Sequence, residues 1–173
     1  MAVAAAGNAS VSNSAVQAML VYLMAYMFTN IGAFAVALAV EKADGSGTSL
    51  DDLVGLGKSQ PLLAAAMAIF MLSLTGIPLT AGFIGKYLIF STVVQAGMIP
   101  LAVVGVLTSV VSAFYYVRVI VNMYLRDDAE GDAAEGATAP VQWAVYATMA
   151  ATLIIGIFAP LAINLVTMVQ LVS

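Results

Sequence analysis

The feature that most constrains this chain is a series of long apolar runs that carry almost no charge. The runs extend over residues 16–40, 62–77, 79–96, 101–125 and 141–172. A helix that crosses a bilayer needs roughly 20 mainly apolar residues, and only helices and closed barrels satisfy every backbone polar group in lipid. Barrel strands alternate between apolar and polar residues over roughly ten positions, whereas these runs are continuous and longer. The pattern predicts an all-α, polytopic transmembrane helical bundle of about five spans.

Composition narrows the functions that such a bundle can perform. The 173 residues are 63% hydrophobic and 8% charged, whereas about a quarter of the residues of a soluble domain are charged. The sequence contains no Cys and no His, so it lacks the thiolate and imidazole ligands of iron–sulfur, haem and zinc sites. The formal charge of −4 comes from acids in the connecting loops and does not favour nucleic-acid binding. We therefore expect a protein of the lipid bilayer without a redox centre or metal site of its own.

Polar segments divide the chain between the runs. Residues 1–14 are small and polar and lack the basic start of a secretory signal, so we expect a flexible N-terminal lead before a helical bundle over residues 15–173. Loops are predicted over residues 41–61, which are rich in Gly, Ser and Asp, and over residues 126–140, which are acidic. The last run exceeds one bilayer thickness, and Pro160 is expected to kink it or to end the spanning part.

The sequence Gly76-Ile77-Pro78 marks the boundary between the second and third runs. We interpret these runs as two short spans joined by a tight turn. A single kinked or re-entrant helix is the alternative, because Pro and Gly are tolerated at membrane depth where protein or water satisfies the freed backbone groups.

Basic residues near the ends of the runs bear on orientation. On the two-span interpretation, Lys42 and Lys58 fall on one side of the membrane, and Arg126 falls on the other with Arg118. The positive-inside rule assigns the side with more Lys and Arg to the cytoplasm. Because the count is nearly equal, the sequence leaves the orientation open.

Lys86 is the one charge deep within an apolar run, eight residues after Pro78 and ten before Ala96. At 1.5 Å per residue it lies about 12 to 15 Å from either end, too far for its stem to reach the headgroups comfortably. A central lysine costs at least about 2.5–3.5 kcal/mol, so its ammonium must face a partner, a water-filled cavity or the bundle interior. Such a lysine can exchange its proton when a neighbouring charge moves, as a proton relay requires. The plainer interpretation is a structural lysine paired with backbone carbonyls.

The other polar residues of the runs are weaker candidates. Arg118 lies seven residues before the end of its run at Leu125, where its side chain can snorkel to the headgroups. Glu41 and Lys42 are interpreted as an interfacial pair and not as part of a relay. No carboxylate lies in the core of a predicted span, so an acid that pairs with Lys86 would belong to another chain or segment. Uncharged polar side chains can hold water or form hydrogen bonds across helices, although buried tyrosines are more often packing residues. The uncharged candidates are Tyr26, Tyr87, Tyr115, Tyr116 and Asn30.

Several motifs resemble a known family. Residues 61–64 are PLLA and residues 70–87 are FMLSLTGIPLTAGFIGKY, with further matches in YMFTNIGAF at 26–34, LVGLG at 53–57 and SAFYYVR at 112–118. These motifs resemble the C-terminal part of subunit N, an antiporter-like membrane subunit of the proton-translocating NADH-quinone oxidoreductase, respiratory complex I. The resemblance implies that Lys86 matches the lysine of a broken helix, which Pro78 and nearby glycines such as Gly85 open to water.

The resemblance also implies an activity and its partners. We expect a proton-translocating membrane subunit that couples quinone reduction elsewhere in the complex to proton transfer, with NADH, FMN, iron–sulfur clusters and quinone bound in partner subunits. Multi-pass insertion into the inner membrane of a bacterium is implied. A subunit of a multisubunit cation/proton antiporter and a structural assembly subunit without a relay role are the alternatives.

Full-length members of the family are much longer than this chain. We therefore expect a fragment, a split subunit or an alternative gene model, paired with a complementary N-terminal half and with other membrane subunits. The family topology is expected to place residues 43–60 on the outer face and residues 126–140 on the cytoplasmic face.

Overall fold

The computed structural model describes residues 9–40, 49–126, 138–160 and 163–164, and within them the chain forms helices joined by turns, without a strand. The helices are α1 (Ala9–Ala39), α2 (Leu56–Ser59), α3 (Pro61–Thr75), α4 (Ala81–Gln95), α5 (Ile99–Leu125) and α6 (Ala139–Ile157). Of these, α1, α5 and α6 are long and apolar enough to cross a membrane, and α3 and α4 contain 15 residues each. The predicted all-α transmembrane bundle is confirmed, and the described part of the chain contains five longer helices, of which α3 and α4 are half-length.

Proline and glycine set the ends of the shorter helices. Pro61 occupies the first turn of α3, where its missing N–H has no intrahelical partner to lose. Gly76 ends α3 in the left-handed conformation, with φ 92°, which glycine adopts without the penalty of a Cβ atom. Gly97, with φ 74°, turns the chain after α4. These signals explain why the predicted boundaries of α3 and α4 agree with the observed ones to within two residues.

Helices α3 and α4 together form one interrupted crossing. Gly32, in the C-terminal half of α1, lies against the ring of Phe70 in α3, whereas Tyr22, in the N-terminal half, lies against Gly85 in α4. Residues earlier in α1 therefore contact residues later in the α3–α4 segment. This means that α3 and α4 follow one another in a direction antiparallel to α1. Together they contain nearly as many helical residues as the 31 of α1. The interpretation as two short spans is wrong, and the single interrupted helix is the observed arrangement.

Described residues next to the two longer loops meet at one side of the bundle, which we call the loop side. The amide of Gly55 donates to the carbonyl of Asn122 at 3.4 Å, and Arg126 Nη1 lies 4.0 Å from Asp51 Oδ1. The expectation that these loops lie on opposite faces is wrong. The reason is that α3 and α4 count as one crossing, so the described helices make four crossings and α5 returns to the side where α1 ended. The opposite side, with the turn around Gly97, is the turn side.

Some predicted loop residues are helical. Helix α1 begins at Ala9, inside the lead expected over residues 1–14, because Val11 packs against a small cluster formed by Val93 and Ala102. The segment after residue 48 contains α2, whose Leu56 is buried. Helix α6 ends at Ile157, shortly before Pro160, as expected. Residues 1–8, 41–48 and 127–137, which include Glu41 and Lys42, lie outside the described residues.

Candidate functional site

The break between α3 and α4 leaves two backbone carbonyls without a main-chain partner. At the end of α3, the amide of Ile77 donates to the carbonyl of Leu72 and the amide of Gly76 donates to the carbonyl of Ser73, both at 3.0 Å. This pair of bonds is the Schellman motif, which closes a helix with a left-handed residue. It does not use the last two carbonyls of the helix, those of Leu74 and Thr75, which point beyond its end.

The ammonium of Lys86 binds these two carbonyls. Its Nζ donates to the oxygen of Leu74 at 2.8 Å and to that of Thr75 at 3.0 Å. Hydrogen bonds of charged groups contribute about 1.5–3 kcal/mol each, and the negative end of a helix dipole stabilises a cation by about 0.3–1 kcal/mol. These contributions are comparable with the cost of at least about 2.5–3.5 kcal/mol of a mid-membrane lysine. The end of α3 therefore offsets the cost of the charge.

No carboxylate described in the structure contacts Lys86. The acids among the described residues are Asp51 and Asp52, and they lie at the loop side, where the side chain of Asp52 accepts a hydrogen bond from the amide of Ser49 at 2.7 Å. The carbonyl pairing that we considered for a structural lysine is thus the observed geometry. It engages two of the three N–H donors of an ammonium group, and the third is available to another acceptor.

The start of α4 is capped by α3 in return. Thr80 occupies the N-cap position, but its hydroxyl donates to the carbonyl of Ile77 at 2.7 Å and does not cap its own helix. The amide of Gly82 instead donates to Ser73 Oγ at 3.1 Å. Each half-helix therefore supplies a partner to free backbone groups of the other: Ser73 accepts one amide of α4, and Lys86 donates to two carbonyls of α3.

A polar cavity of about 160 Å³ opens beside Lys86, between α1, the break and α5. At about 30 Å³ per water molecule it has room for roughly five. Most of its lining side chains carry a hydroxyl or the ammonium, which gives water the polar partners that it needs in a protein interior. The lining residues are Tyr22, Ala25, Tyr26, Thr29, Ser73, Leu74, Gly82, Lys86, Thr108, Ser109, Ser112 and Tyr116.

A second, larger cavity lies on the other side of Lys86. It is an open groove of about 700 Å³ between α4 and α5, and its lining is mainly apolar, with Phe83, Phe90 and Val110 among the side chains. Lys86 and Ser109 line both the polar cavity and the groove. The lysine therefore stands between a compartment suited to water and an apolar surface.

The structure brings some of the predicted site residues to this place. Tyr26 and Tyr116 line the polar cavity, and Tyr87 lines the groove. Gly85 is buried, and a Cβ there would lie 3.0 Å from Tyr22 Cα, so its role is to let α4 approach α1.

Other predicted residues lie elsewhere. Pro78 is exposed in the turn. Tyr115 is 62% exposed and packs edge-on against Phe114, and Asn30 Nδ2 donates to the carbonyl of Tyr26 at 2.8 Å. Pro78, Tyr115 and Asn30 are absent from the residues that line the polar cavity and the groove. Arg118 is exposed on α5.

Sequence reasoning missed most of the hydroxyl side chains of the site. Ser73 and Thr29 are each 1% exposed and lie in runs that otherwise contain apolar residues. Thr108 and Ser112, one helical turn apart on α5, face the same cavity. Polar residues spaced by four positions within an apolar run were the available signal, because such a spacing places them on one helix face.

The described residues offer few side chains of the kind that bind metal ions. The sequence has no Cys or His, and within the described ranges no three His, Cys, Asp or Glu residues come together. The groups that the described structure brings together at the break are the ammonium of Lys86, side-chain hydroxyls and backbone carbonyls.

Comparisons with known proteins place these features in a family. The family described as "NADH:quinone oxidoreductase/Mrp antiporter, TM" matches residues 1–112. NADH-quinone oxidoreductase subunit N of Trichlorobacter lovleyi is 48% identical over 151 residues, which cover 87% of this chain and 31% of that relative. The subunit N of Rhodospirillum rubrum is 46% identical over 136 residues, which cover 78% of this chain and 28% of the relative.

A solved structure is similar as well. A chain of respiratory complex I from Thermus thermophilus with bound aureothin superimposes with a TM-score of 0.76 and 34% identity, over 86% of this chain and 34% of that chain. This chain thus spans about a third of the length of the proteins that it matches. These similarities confirm the resemblance that the motifs predicted.

Proposed function

Because this chain belongs to the NADH:quinone oxidoreductase/Mrp antiporter transmembrane family, we propose that it forms part of a proton-translocating membrane subunit of an NADH-quinone oxidoreductase. Lys86 is the residue that accepts and releases the proton. One observation carries this proposal: the ammonium lies at the junction of two half-helices and lines both the polar cavity and the groove.

The geometry suits a group that changes charge without leaving its place. A protonated lysine has three N–H donors and a neutral amine has two. Two donors are sufficient for the carbonyls of Leu74 and Thr75, so Nζ keeps both partners while its third proton passes to water in the polar cavity. A positive charge that approaches the site favours release of the proton, and a negative charge favours its return.

The driving events belong to other parts of the proposed complex. Quinone reduction there changes charges along the membrane, and NADH, FMN, iron–sulfur clusters and quinone are bound by partner subunits. The partners of this chain are other membrane subunits and a segment equivalent to the N-terminal half of the relatives, which supplies an acid if Lys86 works against one.

The proposed location is the inner membrane of a bacterium, with the loop side in the cytoplasm. Lys58 and Arg126 lie at the loop side, and Arg118 is seven residues from the end of α5 there. The described residues place no Lys or Arg at the turn side. The positive-inside rule therefore gives a clear orientation once α3 and α4 count as one crossing.

Two other functions use the same fold. A multisubunit cation/proton antiporter would contain this site without redox partners, but the relatives described above carry the name NADH-quinone oxidoreductase subunit N, which favours the dehydrogenase. A purely structural subunit would use Lys86 only as the cap of α3.

The test is redox-driven proton pumping in membrane vesicles that carry the assembled complex with Lys86→Met, with assembly followed by native electrophoresis. We expect an assembled complex that reduces quinone but pumps fewer protons per electron. An assembled variant that pumps as well as the unaltered complex would overturn the role of Lys86.

A further inference from the structure

Two buried hydroxyl groups connect the break to α1. Thr29 Oγ1 lies 3.1 Å from Ser73 Oγ, and Ser73 in turn accepts the amide of Gly82 at 3.1 Å. From this contact we infer that Ser73 and Thr29 form a latch that positions Lys86, an inference that rests on the proposed function of that lysine. Both residues act through Lys86 and are positioning residues, not proton carriers.

The direction of each hydrogen bond in the latch follows from the donors available. A hydroxyl group has one hydrogen to donate, and Thr29 donates its hydrogen to the carbonyl of Ala25 at 2.8 Å. Ser73 must therefore be the donor toward Thr29 while it accepts the amide of Gly82. The result is a directed chain from α4 through α3 to the backbone of α1, in which every hydroxyl has a donor and an acceptor role.

The chain fixes the part of α4 that carries the lysine. Gly82 precedes Lys86 by four residues, so both lie on the same face of α4, one turn apart. Glycine is required there, because a Cβ at Gly82 would overlap the carbonyl of Ser73. Anchoring this turn holds Lys86 Nζ within hydrogen-bond distance of the carbonyls of Leu74 and Thr75. Without the latch, the first turn of α4 has no side-chain cap, since Thr80 is bonded elsewhere.

The experiment compares two substitutions at Thr29 in the assembled complex. Thr29→Val keeps the shape of the side chain and removes the hydroxyl, whereas Thr29→Ser keeps the hydroxyl and removes a methyl group. A hydroxyl latch predicts that the valine variant lowers the rate of proton pumping by about two- to tenfold, the range of a single hydrogen bond, and that the serine variant retains most of it. A packing role predicts the opposite order.

Thr148→Val is the matched control. Thr148 is also a buried threonine whose hydroxyl donates to the carbonyl four residues earlier, that of Ala144, at 2.7 Å, but it lines neither the polar cavity nor the groove. We expect its proton pumping to be unchanged. If Thr29→Val does not assemble, Ser73→Ala takes its place in the comparison; it removes the hydrogen bond to Thr29 together with the one from Gly82.

A double variant separates the latch from the function of the lysine. If Thr29 acts through Lys86, then Thr29→Val combined with Lys86→Met pumps no less than Lys86→Met alone. Normal pumping by Lys86→Met would contradict the proposed function itself. The latch alone would be overturned if Lys86→Met pumps poorly while Thr29→Val pumps as many protons as Thr148→Val.

Discussion

The close contact between Gly82 and α3 gives a sharp prediction. In a Gly82→Ala variant, the added methyl group would overlap the carbonyl of Ser73, which is backbone and cannot rotate away. The first turn of α4 must then move by about an ångström, and a misplacement of about 1 Å at a functional group can cost on the order of 100-fold in rate. Overpacking of a well-packed site also lowers the free energy of unfolding by about 1–3 kcal/mol. We expect both the thermal stability and the proton pumping of the assembled complex to fall.

Gly97→Ala separates this steric effect from backbone strain. Gly97 has φ 74°, and a Cβ there meets no atom within 4 Å, so the substitution introduces strain without a collision. The cost is about 1–2 kcal/mol in stability, and pumping per electron stays normal because the turn is remote from Lys86. The assays are thermal inactivation of the complex and acidification of the lumen of inverted vesicles during NADH oxidation. Normal pumping in Gly82→Ala would refute the proposed packing of α4 on α3.

Two further predictions concern the packing of α6 and the orientation. In Gly156→Ala the methyl group would overlap the backbone of Leu79 and Thr80, so the free energy of unfolding should fall by about 1–3 kcal/mol. The comparison is Gly105→Ala, where the nearest group is the ring edge of Phe90 at 2.8 Å, which can move; equal thermal stability of the two variants would contradict this account. The sequence has no Cys, so Ser59→Cys and Ile99→Cys each place one thiol, at the loop side and the turn side. With an impermeant maleimide we expect Ser59→Cys to react in inverted vesicles and Ile99→Cys in right-side-out vesicles, and the reverse pattern would invert the proposed orientation.

Local signals in the sequence predicted much of this fold. Pro61 begins α3 and Gly76 ends it, because a proline loses no hydrogen bond in the first turn and a glycine tolerates the left-handed conformation. Lys86 is proposed as a functional residue on a local signal as well, since a charge at mid-membrane needs a partner. These inferences depend on residues close to one another in the chain.

The remaining features depend on contacts that local patterns do not specify. Whether α4 folds back on α3 or continues away from it is decided by how both pack on α1, through close approaches such as Gly32 to Phe70. The latch likewise joins Thr29 and Ser73, 44 residues apart. Their contact requires the register of α1 against the interrupted helix, and no periodicity within either run gives that register.

The measurement that tests the central claim most directly is proton pumping by an assembled Lys86→Arg complex. Arginine supplies a cation and several N–H donors, so it can still cap the end of α3, but its guanidinium is not deprotonated in proteins. The account predicts an assembled complex of near-normal stability that reduces quinone and pumps fewer protons per electron. Normal pumping by Lys86→Arg would show that the residue serves only as a cap, and would contradict its assignment as a proton carrier.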